Sequence, residues 1–97
     1  MGVKFGREYE DIIHDLSEAM RQVEDVYDFL EMPKEDWDAM GLELQKDCIQ
    51  TMADDVFFAL GHEKKLKVGQ GIITYEKNRH TILVDHGNDV VTVVKLV

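Results

Sequence analysis

One cysteine, one proline and one serine stand among 97 residues, and each scarcity closes off a class of protein. With Cys48 alone the chain forms no intramolecular disulfide and no multi-cysteine zinc site, so a reducing compartment, the cytoplasm, is the expectation. Ser17 falls within a helical pattern and lacks the flanking glycines of a nucleophile elbow, which argues against a serine hydrolase. No apolar run approaches the roughly 20 residues that a membrane span needs, and Met1 to Glu10 lacks the apolar core of a signal peptide. Bases are also few. Eleven Lys and Arg face 20 Asp and Glu, and the net charge of −9 opposes direct attachment to DNA, RNA or an anionic membrane. The length holds one domain, residues 1–97, and leaves no room for a multi-domain enzyme.

The remaining routes to chemistry fail on spacing. His14, His62, His80 and His86 lie far apart, and His62-Glu63-Lys64-Lys65-Leu66 has leucine where a zincin helix needs its second histidine. His80 and His86 share a face of one strand, but six residues of extended chain separate them by roughly 20 Å, too far for one ion. Cys48 falls in an apolar series between Leu44 and Met52, the setting of a cysteine that behaves as a small hydrophobe. Gly69-Gln70-Gly71 leads into a strand, whereas a phosphate cradle has to open a helix. The expectation is a protein with no catalytic residues, no metal and no cofactor. Lys64, Lys65 and Lys67, with Lys77 and Arg79, form a basic cluster suited to a helix C-terminus and to sheet edges.

What is present is an uneven charge distribution. Residues 1–62 carry 16 acids and five bases, while residues 63–97 carry four acids and six bases. The hydrophobic period changes at the same place. Ile12, Ile13, Leu16, Met20, Val23, Tyr27 and Leu30 recur at helical spacing, which predicts one long amphipathic helix over residues 7–32. Pro33 and the acids after it open a second helix over 34–60, with an apolar series of Trp37, Met40, Leu44, Cys48, Met52, Val56, Ala59 and Leu60. Gly41 costs about 1 kcal/mol within it, so a short helix over 34–40 followed by a break is an alternative. Beyond Lys64, Gly71 to Glu76, His80 to Asp85 and Val90 to Leu96 read as antiparallel strands. Their loops are Lys77-Asn78-Arg79 and His86-Gly87-Asn88-Asp89, the latter supplying glycine and asparagine for positive φ; Leu66 to Val68 is an optional fourth strand. The predicted fold is α+β, two N-terminal amphipathic helices packed on a three-stranded meander sheet (ααβββ), with an acidic helical part over 7–61 and the meander over 66–97.

Two surfaces follow. The first helix carries Glu8, Glu10, Asp11, Asp15, Glu18, Glu24, Asp25, Asp28 and Glu31 against the single base Arg21, and Asp54 and Asp55 add to them from the second helix. Like charges at i, i+3 and i, i+4 destabilise a helix, so stability alone does not favour these rows. As one helix, Glu8 to Glu31 would span about 35 Å with a carboxylate every 4 Å or so, against one phosphate per about 3.4 Å of a DNA strand. In its small size, acidic helices and lack of catalytic motifs, the chain resembles the phage-encoded inhibitors that imitate DNA to block host nucleoid or transcription proteins. That resemblance implies a basic DNA-binding protein as partner. The second surface is the sheet, where Leu83, Val91 and Val93 leave one face apolar. A homodimer would cover it, as would an uncharged partner of a small regulatory protein, or the segment Val3 to Phe5 wrapping around.

Overall fold

In the computed structural model, which describes residues 3–87 and 89–97, the apolar stripe that begins at Tyr9 is helical only as far as Arg21. This helix, α1 (Tyr9–Arg21), buries Ile12, Ile13, Leu16, Ala19 and Met20. Past Arg21 the backbone tightens. The Gln22 and Val23 amides donate to the Ala19 and Met20 carbonyls at 3.2 and 3.0 Å, three residues back instead of four, and a 3₁₀ turn follows over Val26–Leu30. Continuing the helix would have set Glu24, Asp25, Asp28 and Glu31 at its negative end, with Arg21 the only base nearby. β-branched Val23 and Val26 add little helix propensity, and both are instead buried beneath the turn.

The second predicted helix divides at Gly41, whose φ of +82° is one that glycine adopts without strain. α2 (Lys34–Met40) precedes it and α3 (Leu42–Ala59) follows. The Gln45 side-chain amide donates to the Trp37 carbonyl at 2.7 Å, satisfying one of the carbonyls the short helix leaves open. Leu44, expected in the core, is exposed. Met52, Val56 and Leu60 of the expected series are buried and Ile49, Ala53 and Phe57 join them, because steps of four residues drift around a helix of 3.6 per turn. Trp37 is buried at the break, its ring 6.3 Å from that of Tyr27.

Four strands complete the chain: β1 (Lys65–Val68), β2 (Gly71–Glu76), β3 (Thr81–Asp85) and β4 (Val91–Lys95). They form one antiparallel sheet in the order β1-β2-β3-β4. Leu66 pairs with Ile73, Ile73 with Val84, and Val84 with Thr92, so one face carries the apolar row that meets the helices. α1 lies against β3 and β4 on one side and against α3 on the other. The architecture is therefore α+β, but with three helices and four strands, and the expectation of ααβββ is corrected. The third helix exists because Gly41 breaks the second. The fourth strand exists because the turn at Gly69 and Gln70 folds Lys65–Val68 back along β2. In the β3–β4 loop Gly87 and Asp89 have positive φ, while Asn88, expected to share that role, lies outside the described residues.

The 3₁₀ turn docks on the β1–β2 hairpin through one carboxylate, since Asp25 Oδ1 accepts the Gln70 amide at 2.9 Å. Gly69 has φ +58°, and a Cβ there would collide with the side chain and carbonyl of Asp25. Replacing Gly69 by alanine adds that collision to the strain of positive φ, for an expected loss of about 1–3 kcal/mol in urea unfolding. Gly41→Ala meets no atom within 4 Å, but φ +82° with ψ +164° is a backbone region that only glycine adopts readily, so its loss there is backbone strain alone. A Gly69→Ala loss that stays the same in an Asp25→Ala background would show that the Asp25 contact contributes nothing.

Candidate partner-binding surface

The carboxylates singled out in the sequence come from four segments instead of two long helices. Glu8 precedes α1, and Asp11, Asp15 and Glu18 lie on its solvent side; Glu24 and Asp25 fall in the turn after it. Asp28 is in the 3₁₀ turn, Glu31 follows it with φ +54°, and Asp54 and Asp55 belong to α3. With α1 ending after 13 residues, or about 20 Å, the even 35 Å track expected of a single helix is not formed.

Several of these groups are already engaged. Arg7 donates both to Asp15 Oδ2 at 2.9 Å and to the Lys95 carbonyl at 3.0 Å, tying the start of the chain to α1 and β4. Arg21 pairs with Glu18 at 3.0 Å, and Lys34 with Asp38 at 2.7 Å. Water screens these pairs, Lys34–Asp38 most fully, so they add little to stability. Asp25 holds the β1–β2 turn, and Asp54 Oδ1 accepts the Tyr9 hydroxyl at 2.8 Å. Glu8, Asp11, Glu24, Asp28, Glu31 and Asp55 are exposed and, among the described residues, take part in no ion pair. The same holds for Glu10, Glu35, Asp36, Glu43 and Asp47, of which all but Glu10 lie outside the rows read from the sequence. Their signal was the break at Gly41, which turns α2 and the first half of α3 into separate acidic surfaces.

Between α1 and α3 runs a groove of about 630 Å³, bordered by Glu10, His14, Ser17, Glu18, Arg21, Lys46 and Asp54. The helices cross it antiparallel, with Tyr9 at the start of α1 bonded to Asp54 in the second half of α3. Tyr9 packs edge-on against Phe57 at 5.2 Å and lies 5.9 Å from Phe5. Desolvation there, then the hydrogen bond to Asp54 and the charges of Asp54 and Asp55, push its phenol up to about 12. Among the described residues Ser17 Oγ is buried without a hydrogen-bond partner.

The helix-free face of the sheet is the other candidate surface. Its rows are Lys65-Thr74-Leu83-Val93 and Lys67-Ile72-Asp85-Val91. Val91 and Val93 are 50% and 53% exposed, and Leu83 is half-buried between strands. The segment Val3 to Phe5 does not cover them. It lies on the helix side, where Val3 is buried and Phe5 meets the Phe57 ring at 5.5 Å. His80 caps the β2–β3 turn, exposed, while His86 is buried with Nε2 2.7 Å from Thr92 Oγ1, so the two do not converge. Among the described residues no group of three or more His, Cys, Asp or Glu is placed to hold a metal ion, and no helix is long and apolar enough to cross a membrane.

No protein-family model matches this chain, and neither a curated protein nor a solved structure matches it.

The Tyr9 environment gives a measurable pH effect. An unfolded tyrosine ionises near pH 10 and Tyr9 in the fold near 12. The associated stability is fully present below about pH 10 and is lost as the pH rises toward 12. Ultraviolet titration of the three tyrosines should show one ionising late. Asp54→Asn should lower it without returning it to 10, because desolvation is the larger cause. A titration unchanged by Asp54→Asn would discount the Tyr9–Asp54 bond.

Proposed function

We propose that this chain is a non-catalytic acidic protein of the cytoplasm that binds a cationic protein surface, with a basic DNA-binding protein as the partner whose groove its carboxylates occupy. The observation that supports this reading is the set of exposed, unpaired carboxylates spread over α1, the 3₁₀ turn, α2 and α3. Of the five bases in residues 1–62, Arg7, Arg21 and Lys34 are each bound to a neighbouring acid, so the field of the layer is negative. Such a field attracts a lysine- and arginine-lined groove and repels nucleic acid, and its reach falls with salt as the screening length drops below about 10 Å. With the regular carboxylate track absent, the likeness to DNA is one of charge sign and not of spacing, and the reading rests on the negative field alone. The phage-encoded DNA imitators are the class whose surface chemistry it shares.

The exposed Ile72, Val91 and Val93, with half-buried Leu83 between them on the helix-free face, favour a second reading, in which this apolar face receives a second copy of the chain or an uncharged partner. The two readings differ in salt dependence, because apolar association is not screened.

Asp15 and Asp25 hold structural bonds, so reversing them would perturb the fold itself. The informative reversal is Asp11→Lys, Asp28→Lys and Asp55→Lys together. A basic nucleoid-type protein carrying a labelled duplex should release it when the natural chain is added at low salt. The triple variant should need at least about tenfold more protein, with its circular dichroism unchanged. Val91→Ser with Val93→Ser should compete as the natural chain does. Failure to displace DNA at low salt would exclude this partner class, and loss of competition only in the valine variant would favour the apolar reading.

A further inference from the structure

Three residues of the basic cluster, Lys64, Lys65 and Lys77, border with Lys4 a cleft that the acidic surface does not use, whereas Lys67 and Arg79 lie outside it. It is formed where the N-terminal segment, the end of α3 and the β1–β2 pair meet, and it encloses about 770 Å³. That is within the range of small-molecule sites, roughly 300–1,000 Å³. We propose that this cleft binds a small organic anion, an acidic head group joined to an apolar body.

The cations come from three segments that meet at one tyrosine. The Tyr75 amide donates to the Lys64 carbonyl at 2.9 Å, and the Lys4 amide donates to the Tyr75 hydroxyl at 3.2 Å. Lys65 pairs with Thr74 on the face opposite Tyr75 and borders the cleft only from the edge strand β1, while Lys77 follows β2 two residues beyond Tyr75. Lys4, Lys64, Lys65 and Lys77 all border the cleft, against the two carboxylates Glu63 and Glu76. Among the described residues none of the four lysines is in an ion pair, in contrast to Arg7, Arg21 and Lys34. In a chain of net charge −9, this is a local surplus of positive charge within a concavity.

The rest of the lining defines the other end of the ligand. Val3 and Leu60 are buried core residues whose edges reach the cleft, and the half-buried Tyr75 ring joins them. Tyr75 Oη accepts from Lys4, and among the described residues nothing takes its proton, which leaves that proton to donate to an anionic oxygen. The helix end beside the cleft is not an opposing charge of consequence. The Phe58 and Ala59 carbonyls are taken by the amides of Gly61, His62 and Glu63. The acids of the helical layer would repel a polyanion or an anionic bilayer that must approach over a wide area. A small anion inside the cleft feels mainly the lysines within a screening length of about 10 Å. The ligand is therefore a free small molecule.

Calorimetric titration of the full chain with naphthyl phosphate tests this, with inorganic phosphate and naphthol as probes of each half alone. Saturable one-to-one binding is expected, at least about tenfold weaker for either half. Lys64→Gln with Lys77→Gln should weaken naphthyl phosphate at least about tenfold, and Tyr75→Phe about threefold or more, since charge-assisted hydrogen bonds are the strong ones. Amide shifts should centre on Leu60 and Tyr75. Absence of saturation at millimolar ligand, unchanged affinity in the double lysine variant, shifts centred on Val91 and Val93, or comparable binding to phosphatidylserine vesicles would each overturn the proposal. The carboxylate reversals on α1, the 3₁₀ turn and α3 should leave this titration unchanged, so the cleft and the acidic surface are tested separately.

Discussion

The fold rests on the burial of α1. Ile12, Leu16 and Met20 are fully enclosed, and the helix that carries them contacts β3 and β4 on one side and α3 on the other. Each such side chain contributes about 1.5–3 kcal/mol on removal from water. The surface ion pairs, by comparison, are screened by water and hold the fold only weakly. α1 thus joins two parts of opposite character, an acidic helical layer and a sheet with a weakly basic edge. Truncating Leu16 would loosen both at once, whereas the Asp25 carboxylate fastens only the 3₁₀ turn to the β1–β2 turn.

The two charge populations are kept apart by this arrangement. Acids crowd the helices, where the apolar stripe fixes which side chains face water, and lysines gather where the end of α3 passes into β1. Asp25 is the exception that ties them together. It accepts the Gln70 amide and so holds the turn of the β1–β2 hairpin beside which the basic cleft opens. A polar group bonded in this way replaces water with a fixed donor and positions the backbone, which free carboxylates such as Glu24 and Asp28 do not do.

Much of the core was legible in the sequence, because the hydrophobic period survives any tertiary detail. Ile12, Ile13, Leu16 and Met20 on α1, and Ile82 and Val84 on β3, are buried as their spacing requires. The helix ends were less legible. The stripe continues past Arg21 through Val23 and Tyr27, and only the carboxylates at the negative helix end signal a stop. On α3 the expected series holds at Met52 and Val56 but not at Leu44, because its steps of four residues drift around a helix of 3.6 per turn and Ile49 lies on the buried face. Of the candidate site, the acids exposed on α1 and the 3₁₀ turn could be named from their types and spacing. The engagement of Asp15, Asp25 and Asp54 could not, since their partners Arg7, Gln70 and Tyr9 are distant in the chain or belong to another element.

By itself the sequence determined the class of the fold, the identity of most core side chains and the excess of acid over base in the first two thirds of the chain. These follow from composition and local periodicity, which every conformation of the chain shares. Tertiary structure decided which carboxylates are free, where the first helix stops and how four lysines come to border one cleft. Those outcomes depend on contacts between residues far apart in sequence, such as Asp25 with Gln70 and Lys4 with Tyr75, whose energies exist only once α1 is buried and the strands are paired.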